Sequence, residues 1–410
     1  MAIKIVKFGG TSIGTPARLR RASRGIQKLI KRGHSPVVVV SAMGSSTDTT
    51  LDLIRSLKVE LSDRAVDEIL SVGERLSARV MYGILESSGV DSTFLDPAME
   101  NWPVITDDNF GNAEVSLMET RKRCQEYLLP IVKRGCVPVI CGFLGRSFDG
   151  KVTTMGRGAS DQTAFLLGYC LEAEEVIIVT DVSGVMSADP RLVSNARLLN
   201  SIYIEELWDL SVGGARVMNS GALRYKLEGQ TARIVNYRKK NLDSGGTVIM
   251  GSASSGLEVM LYDKPVSAIT IVGEEMSGIP GLLSKFSEAL TRRKINILNV
   301  GTGRWSITLF VDHEYANDAV SALHDLVGPG GPAKAVTKSK GCAMITITGR
   351  KLINTPGIVS EALQPLGEND VNVVEVSTSK AEITIFVNWV DRRLGMRLVK
   401  GAIARMDIDG

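Results

Sequence analysis

Lys7, Gly9, Gly10 and Ser12 fall within the hexapeptide KFGGTS, directly after an apolar run and before a helical pattern. An ammonium, two residues without side chains and a hydroxyl at a strand end suit an anion that must come close to the backbone. The two glycines are expected to adopt conformations closed to other residues. They would turn N–H groups toward a phosphate at the start of the next helix, whose dipole favours negative charge. The segment is not a Walker loop, because its lysine precedes the glycines, and it is not G-x-G-x-x-G. A tight strand-to-helix turn that binds nothing is the plainer alternative.

Three further stretches carry chemistry. TTMGRGASDQTA (Thr153 to Ala164) sets Arg157, Ser160 and Asp161 among Gly156, Gly158 and Ala159 just ahead of a helix. Arg157 can grip a carboxylate while Asp161 holds an ammonium; the alternative is a helix cap by Ser160 or Asp161. In TDVSGVMSADPRLV, Thr180 and Asp181 end a buried strand, and Asp189-Pro190-Arg191 forms a rigid turn offering a cation to a polyphosphate. Glu74 sits on a helix in SVGERLSARVM, where the ordinary expectation is a solvated carboxylate.

The elements that must position these residues alternate. SPVVVVSA, CVPVICGFLG and EVIIVTDVSG are continuous apolar strands of the kind buried on both faces of a parallel sheet, and SDRAVDEILSVGERLSARVMYGILESSG and ASDQTAFLLGYCLEA have helical spacing between them. Stacked βα units predict a three-layer αβα sandwich, with ligands at the carboxyl ends of the strands. Polar or glycine-containing loops fall just there, after IKIVKF, VVVV, VICGFLG and VIIVT.

The last third repeats itself. IPGLLSKFSEALTRRKINILNV, from Ile279, and TPGIVSEALQPLGENDVNVVEV, from Thr355, are offset by 76 residues, and the same offset pairs AITIVG with MITITG and ITLFV with ITIFV. Each copy predicts most of a ferredoxin-like βαββαβ module, and two copies imply packing together. The halves are expected to divide within GSASSGLEVMLYDKP.

Composition excludes several classes. With 44% hydrophobic and 23% charged residues over 410 positions, the chain reads as two or three globular domains, not a disordered one. A net charge of +3 gives no general field for nucleic acid or an anionic membrane. Arg18, Arg20, Arg21, Arg24, Lys28, Lys31 and Arg32 alternate with Leu19, Ile26, Leu29 and Ile30, as on the solvated face of an amphipathic helix. Five cysteines without C-x-x-C spacing and only three histidines predict buried thiols in a reducing cytosol and no protein-built metal site. No signal peptide or membrane span is expected.

The strings KFGGTS, VVVSAMGSSTD, SVGERLS, ITDDNFGNA, GFLGRSFDGKVTTMGRGASDQTA, TDVSGVMSADPR and GGARVM together resemble the amino-acid-kinase family. TTMGRGASDQTA in particular is similar to its aspartate kinases and sets them apart from uridylate, acetylglutamate and carbamate kinases. The tandem repeat resembles the paired ACT domains of the same family. The resemblance implies an amino-acid-kinase domain over residues 1–262 and ACT domains over 263–340 and 341–410. It implies transfer of the ATP γ-phosphoryl group, with Mg²⁺, to the side-chain carboxylate of L-aspartate, giving 4-phospho-L-aspartate, the entry to lysine, threonine and methionine biosynthesis.

By motif, Lys7, Gly9, Gly10 and Ser12 would cradle the phosphates, and Thr180, Asp181, Met186, Asp189, Arg191 and Arg216 would surround the nucleotide. Ser41, Thr47, Glu74, Arg157, Ser160 and Asp161 would hold aspartate, with Lys7, Arg157 and Asp161 nearest the chemistry. A free aspartate carboxylate, with pKa near about 3.9, is already ionised at neutral pH and needs no strong base. Asp161 is therefore expected to orient Lys7 or the substrate ammonium.

The same resemblance implies an amino-acid effector, threonine or lysine, held by Met276, Gly278, Ile279, Pro280, Gly281, Asn296 and Ile297. Threonine is favoured, because RWSITLFV, taken as an edge strand, has no acid while the second copy has Glu382. A cytoplasmic homodimer or larger homo-oligomer built through the ACT domains is implied too, with no fused dehydrogenase after residue 410. Met186, Ser183, Arg216 and Asn219 to Gly221 depart from the family's usual residues at the nucleotide side. Two rivals stay open: a kinase of this fold acting on another acid or phosphate, and an amino-acid sensor whose catalytic half has decayed.

Overall fold

This computed structural model describes residues 2–156, 158–212, 218–251, 257–328, 333–349, 352, 355–379 and 382–408. The chain divides into two compact units, Met1–Ala253 and Ser254–Gly410. The first contains β1 (Ala2–Phe8), β2 (His34–Val40), β3 (Ser92–Leu95), β4 (Ile105–Thr106), β5 (Val137–Cys141), β6 (Leu144–Ser147), β7 (Val152–Thr154), β8 (Glu175–Thr180), β9 (Ser201–Tyr203), β10 (Thr231–Asn236) and β11 (Thr247–Met250).

Eight of these strands form one sheet in the order β3-β5-β2-β1-β8-β10-β11-β9. From β3 to β10 every neighbouring pair is parallel, and Lys7 on β1 stands opposite Val39 on β2 and Ile178 on β8. Successive side chains of a strand point to opposite faces, yet β5 and nearly all of β2 and β8 are buried, so helices must cover both sides. Helix Pro16–Lys31 starts where Thr15 accepts the Arg18 N–H and Pro16 takes the first turn; it buries Leu19, Ala22, Ile26 and Leu29 and leaves Arg20, Arg21, Arg24 and Lys28 in water. Helix Asp63–Ser87 and the almost wholly buried helix Ala159–Cys170 complete the cover that positions the site. The result is the expected three-layer α/β sandwich.

One expected strand is two. CVPVICGFLG leaves the main sheet after Cys141 because Phe143 takes a left-handed backbone (φ 69°), and β6 joins β4 and β7 in a separate three-stranded sheet. That bend turns the carboxyl end of β5 toward helix Ala159–Cys170.

The second unit holds β12 (Glu258–Leu261), β13 (Val266–Gly273), β14 (Asn299–Thr302), β15 (Ser306–Asp312), β16 (Ala333–Lys338), β17 (Cys342–Thr348), β18 (Val373–Thr378) and β19 (Glu382–Asn388). β16, β13, β15 and β14 make one four-stranded antiparallel module with helices Leu282–Arg292 and Ala316–His324. The second module orders its strands β12, β17, β19, β18, so its fourth strand comes from before the first module in sequence. Residues 258–261, which the division at 262 leaves with the first half, thus pair inside the second. The modules meet at repeat-equivalent positions: Val266 pairs with Cys342, and Phe310 stacks on Phe386 at 3.9 Å. Pairing of equivalents 76 residues apart is what a local twofold relation between the copies produces. RWSITLFV is not an edge strand, because β15 lies between β13 and β14. Among the described residues no helix is long and apolar enough to cross a membrane.

Candidate active site

The four loops at the carboxyl ends of β5, β2, β1 and β8 lie side by side because those strands are neighbours. Backbone bonds lace them together. The Ser41 N–H donates to the Phe8 carbonyl (3.1 Å), Gly44 to Gly10 (3.0 Å), Gly142 to Val40 (2.8 Å) and Gly9 to Val179 (3.1 Å). The Ser12 hydroxyl donates to the same Val179 carbonyl (3.0 Å).

The glycines of KFGGTS act differently from expectation. Gly9 is extended (φ −67°, ψ 157°) and Gly10 opens a one-turn helix, Gly10–Ile13, so neither needs a conformation denied to other residues. Gly10 is required by proximity: a Cβ there would lie 2.5 Å from the Ala42 carbonyl oxygen. The long helix with a sizeable dipole starts only at Pro16. Left-handed glycines occur instead in the second loop, at Gly156 (φ 82°) and Gly158 (φ 79°).

Lys7 points to helix Ala159–Cys170 and meets Asp161, Nζ to Oδ1 2.6 Å, with side-chain exposures of only 11% and 9%. Asp161 Oδ2 also accepts the Asn219 backbone N–H at 3.0 Å. Neither Ser160 nor Asp161 caps the helix; Gly158 occupies that position without a side-chain cap. Ser160 is buried against Gly142, whose added Cβ would meet the Ser160 Cβ at 2.8 Å.

Glu74 is not solvated. It is 3% exposed, and its Oε1 accepts the Ala42 N–H at 3.0 Å while Oε2 is buried without a hydrogen-bond partner. Burial pushes its carboxyl up to about 7, against the pull of the Ala42 hydrogen bond. Glu74 and Gly10 therefore crowd the same residue, Ala42, from two sides. Ser46 Oγ is likewise buried and unpartnered, beside Gly73. Ser41 and Thr47 are half-buried in this β2 loop. Arg157 and Arg216 lie outside the described residues. A cation, a paired carboxylate, a raised carboxyl and two orphaned oxygens at one sheet end suit a small charged acceptor beside a phosphate.

Residues 2–236 match the model of the amino acid kinase family, and residues 269–326 and 338–397 each match an ACT domain. The chain belongs to the amino acid kinase family, in its aspartate kinase branch. It is 32% identical over 399 residues to the aspartokinase of Mycobacterium bovis, covering 94% of this chain and 92% of that one. It is 29% identical to aspartokinase 2 of Bacillus subtilis, with 95% of each covered. The aspartate kinase structure from Synechocystis superposes with a TM-score of 0.75 at 25% identity, covering 98% of this chain and 70% of that one. Escherichia coli aspartokinase III in complex with aspartate and ADP shares the fold (TM-score 0.54, 22% identity, 98% and 99% covered).

Of the residues expected around a nucleotide, Thr180 is half-buried at the end of β8, its hydroxyl 3.2 Å from Asp181 Oδ1, and Asp181 is exposed. Met186, half-buried, bridges to Leu198. Arg191 is no free cation here, since Asp189 takes its guanidinium at 2.7 Å and its N–H at 2.9 Å; that contact holds Asp189 below the usual carboxylate range. In the first ACT module the Met276 side chain is 1% exposed and belongs to the core, whereas Gly278, Ile279, Pro280, Gly281 and Asn296 are exposed and Ile297 is half-buried. An acid does approach this module: a Cβ on Gly301 would collide with Glu375 Oε1 of the second.

Three contributors carry no motif of their own. The Asn219 amide reaches Asp161 through its backbone, so no residue type signals it. Arg18 donates to the Thr11 carbonyl at 2.6 Å from a helix face that reads as solvent-facing. Asp67 is a fully buried carboxylate on the Glu74 helix. Its one signal is an acid seven residues before Glu74, on the same buried stripe.

Proposed function

We propose that this kinase transfers the γ-phosphoryl group of ATP to the side-chain carboxylate of L-aspartate. The observation that carries this reading is the buried Lys7–Asp161 pair at the carboxyl end of β1, set next to an Ala42 loop that also holds Glu74. The relatives named aspartokinase at about 30% identity support the choice of acceptor. A carboxylate oxygen of aspartate attacks the γ-phosphorus, the bond to the β,γ-bridging oxygen breaks, and ADP leaves with that electron pair. The nucleophile is already an anion, so the site's work is alignment and charge neutralisation.

Lys7 supplies positive charge to the transferring group, and Asp161 fixes the direction of its ammonium. Glu74, with Oε2 lacking a partner, receives the substrate ammonium; Ser41, Thr47, Ser160 and Arg157 complete the acceptor's shell. Gly9, Gly10 and Ser12 face the phosphates, and Thr180, Asp181, Met186, Asp189, Arg191 and Arg216 flank the nucleotide. Among the described residues no three acidic, histidine or cysteine side chains converge on one point. That fits Mg²⁺ arriving on the nucleotide, held by phosphates, water and at most one or two carboxylates. Asp181, exposed just after β8, would be the acid to contribute. Bound there, the ion would neutralise phosphate charge.

The test is ADP release with ATP, Mg²⁺ and L-aspartate, against L-glutamate and no acceptor. Release that needs L-aspartate is expected; equal release with glutamate, or none above the control, overturns the reading. The product is an activated acid suited to lysine, threonine and methionine synthesis, and five unpaired buried cysteines accord with a cytosolic setting. Regulation belongs to the second unit, through an amino acid bound near Ile279–Gly281. With Glu375 over Gly301, lack of an acid no longer argues for threonine over lysine, and titration calorimetry with each decides. Edge strands β14 and β18 offer the ladders for a homo-oligomer.

A further inference from the structure

Asp67 is 0% exposed, yet it is an acid. A buried carboxylate persists only where donors replace water, and three do. Oδ2 accepts the Thr154 N–H at 2.8 Å and the Gly111 N–H at 3.0 Å, and Oδ1 accepts the Thr154 hydroxyl at 2.7 Å. Two loops far apart in sequence are thus fastened to one side chain. They also touch each other: the Ala113 N–H donates to the Thr154 carbonyl at 2.9 Å, and a Cβ on Gly156 would stand 2.8 Å from Asn112 Oδ1. Thr154 is the last residue of β7, and the left-handed turn at Gly156 and Gly158 follows at once, leading into Ser160 and Asp161. Seven residues on, about 10 Å along the same buried helix face, stands Glu74.

We propose that Asp67 is a positioning residue for the acceptor site. It fixes loop 107–113 and the end of β7, which leads by way of Gly156 and Gly158 into Ser160 and Asp161, to the helix that carries Glu74. The spacing between Glu74 and the Ser160–Asp161 turn is then set by one rigid element, not by two loops moving independently. Asp67 touches neither substrate nor phosphate and acts through Thr154. This rests on the acceptor reading given above.

The chemistry separates geometry from charge. In Asp67→Asn the amide oxygen can accept both N–H groups and the amide nitrogen can donate to the Thr154 hydroxyl, so all three links survive. In Asp67→Ala three donors lose their acceptor in a buried site. Steady-state kinetics with ATP, Mg²⁺ and L-aspartate is therefore expected to show the aspartate KM raised about tenfold or more in Asp67→Ala. The ATP KM should stay within about twofold, and Asp67→Asn should restore most of the aspartate KM. Should Asp67→Ala fail to fold, Thr154→Val removes one link of three and is expected to raise the aspartate KM about threefold, with Thr154→Ser restoring it.

An unchanged aspartate KM in soluble Asp67→Ala or Thr154→Val, even with a lowered unfolding temperature, reduces Asp67 to a structural role and overturns the proposal. So does a parallel rise of both KM values, or an Asp67→Asn enzyme as impaired as the alanine one. Each of these leaves wild-type activity intact. If wild type itself releases no aspartate-dependent ADP, the acceptor reading falls, and this proposal with it.

Discussion

Glu74 shows how one side chain can set a pH dependence for the whole enzyme. Its folded-state carboxyl titrates at about 7 against an ordinary value of 4.5, because burial disfavours the anion. For an acid whose pKa is raised on folding, that group's own contribution to stability is fully present below the unfolded value, and the cost of ionising in place grows as pH climbs from 4.5 to about 7. A ligand ammonium reverses that cost, so aspartate should bind the ionised form. We expect the aspartate KM to rise about tenfold from pH 8 to pH 6 in wild type and to stay flat in Glu74→Gln, measured with saturating ATP. The same slope in both enzymes removes Glu74 as its source. At Lys7, replacement by alanine removes the cation proposed to face the transferring group and leaves Asp161 buried without that ion-pair partner. Turnover should fall by about 10²- to 10³-fold with the fold retained, and near-normal kcat sinks the role. The motifs made Lys7 and Asp161 visible in sequence, because their spacing and residue types are unusual together. Glu74's environment was not visible: a glutamate among small residues reads as solvated, and only the approach of the β2 loop shows that Ala42 closes over it.

At the scale of elements, the site depends on how closely neighbouring loops can approach. Gly10 marks the limit, with the Ala42 and Gly44 carbonyl oxygens 2.5 and 2.9 Å from where a Cβ would stand. Both obstacles are backbone, so Gly10→Ala must part the β1 and β2 loops at a cost of about 1–3 kcal/mol. Gly9→Ala meets nothing nearer than 3.6 Å in an ordinary extended conformation, and its melting temperature should match wild type. Differential scanning calorimetry of the pair checks this. If Gly10→Ala melts with wild type, the close approach is not what selects glycine there. Local sequence shows that a glycine pair exists but not which carbonyl lies opposite, since that contact joins loops from two strands. The split of CVPVICGFLG was hidden for a related reason. An apolar run spells burial, and nothing in it reveals that Phe143 reverses its backbone, donating its N–H to the Thr163 hydroxyl at 3.1 Å. The parallel strands and the long helices, by contrast, followed from periodicity because each buries its own pattern.

For the molecule as a whole, the 76-residue repeat announced two modules that pack together, and the structure shows that they do so through equivalent positions, Val266 with Cys342 and Phe310 with Phe386. It did not announce where the second module finds its fourth strand. β12 stands outside the repeat, preceding both copies, and pairs Val259 with Ile347 and Leu261 with Ile345. Leu257, Val259 and Leu261 pack on the core that holds Ile345, Ile347, Ile358 and Leu366. A cut after residue 262 would therefore take from the second unit a strand that pairs inside it. A fragment of residues 257–410 carries every strand of both modules and should unfold in one cooperative transition. A fragment of residues 263–410 lacks β12 and leaves the ladder of β17 open along an apolar edge, the arrangement that invites aggregation. We expect the shorter fragment to melt several degrees lower or to associate at micromolar concentration, as read by calorimetry and light scattering; about 1 kcal/mol shifts a midpoint by roughly 2–8 °C at domain size. Adding the 257–262 segment back as a free peptide should recover part of the loss, because strand and groove remain complementary. Two fragments of equal stability and equal solubility would mean that β12 merely rests on β17.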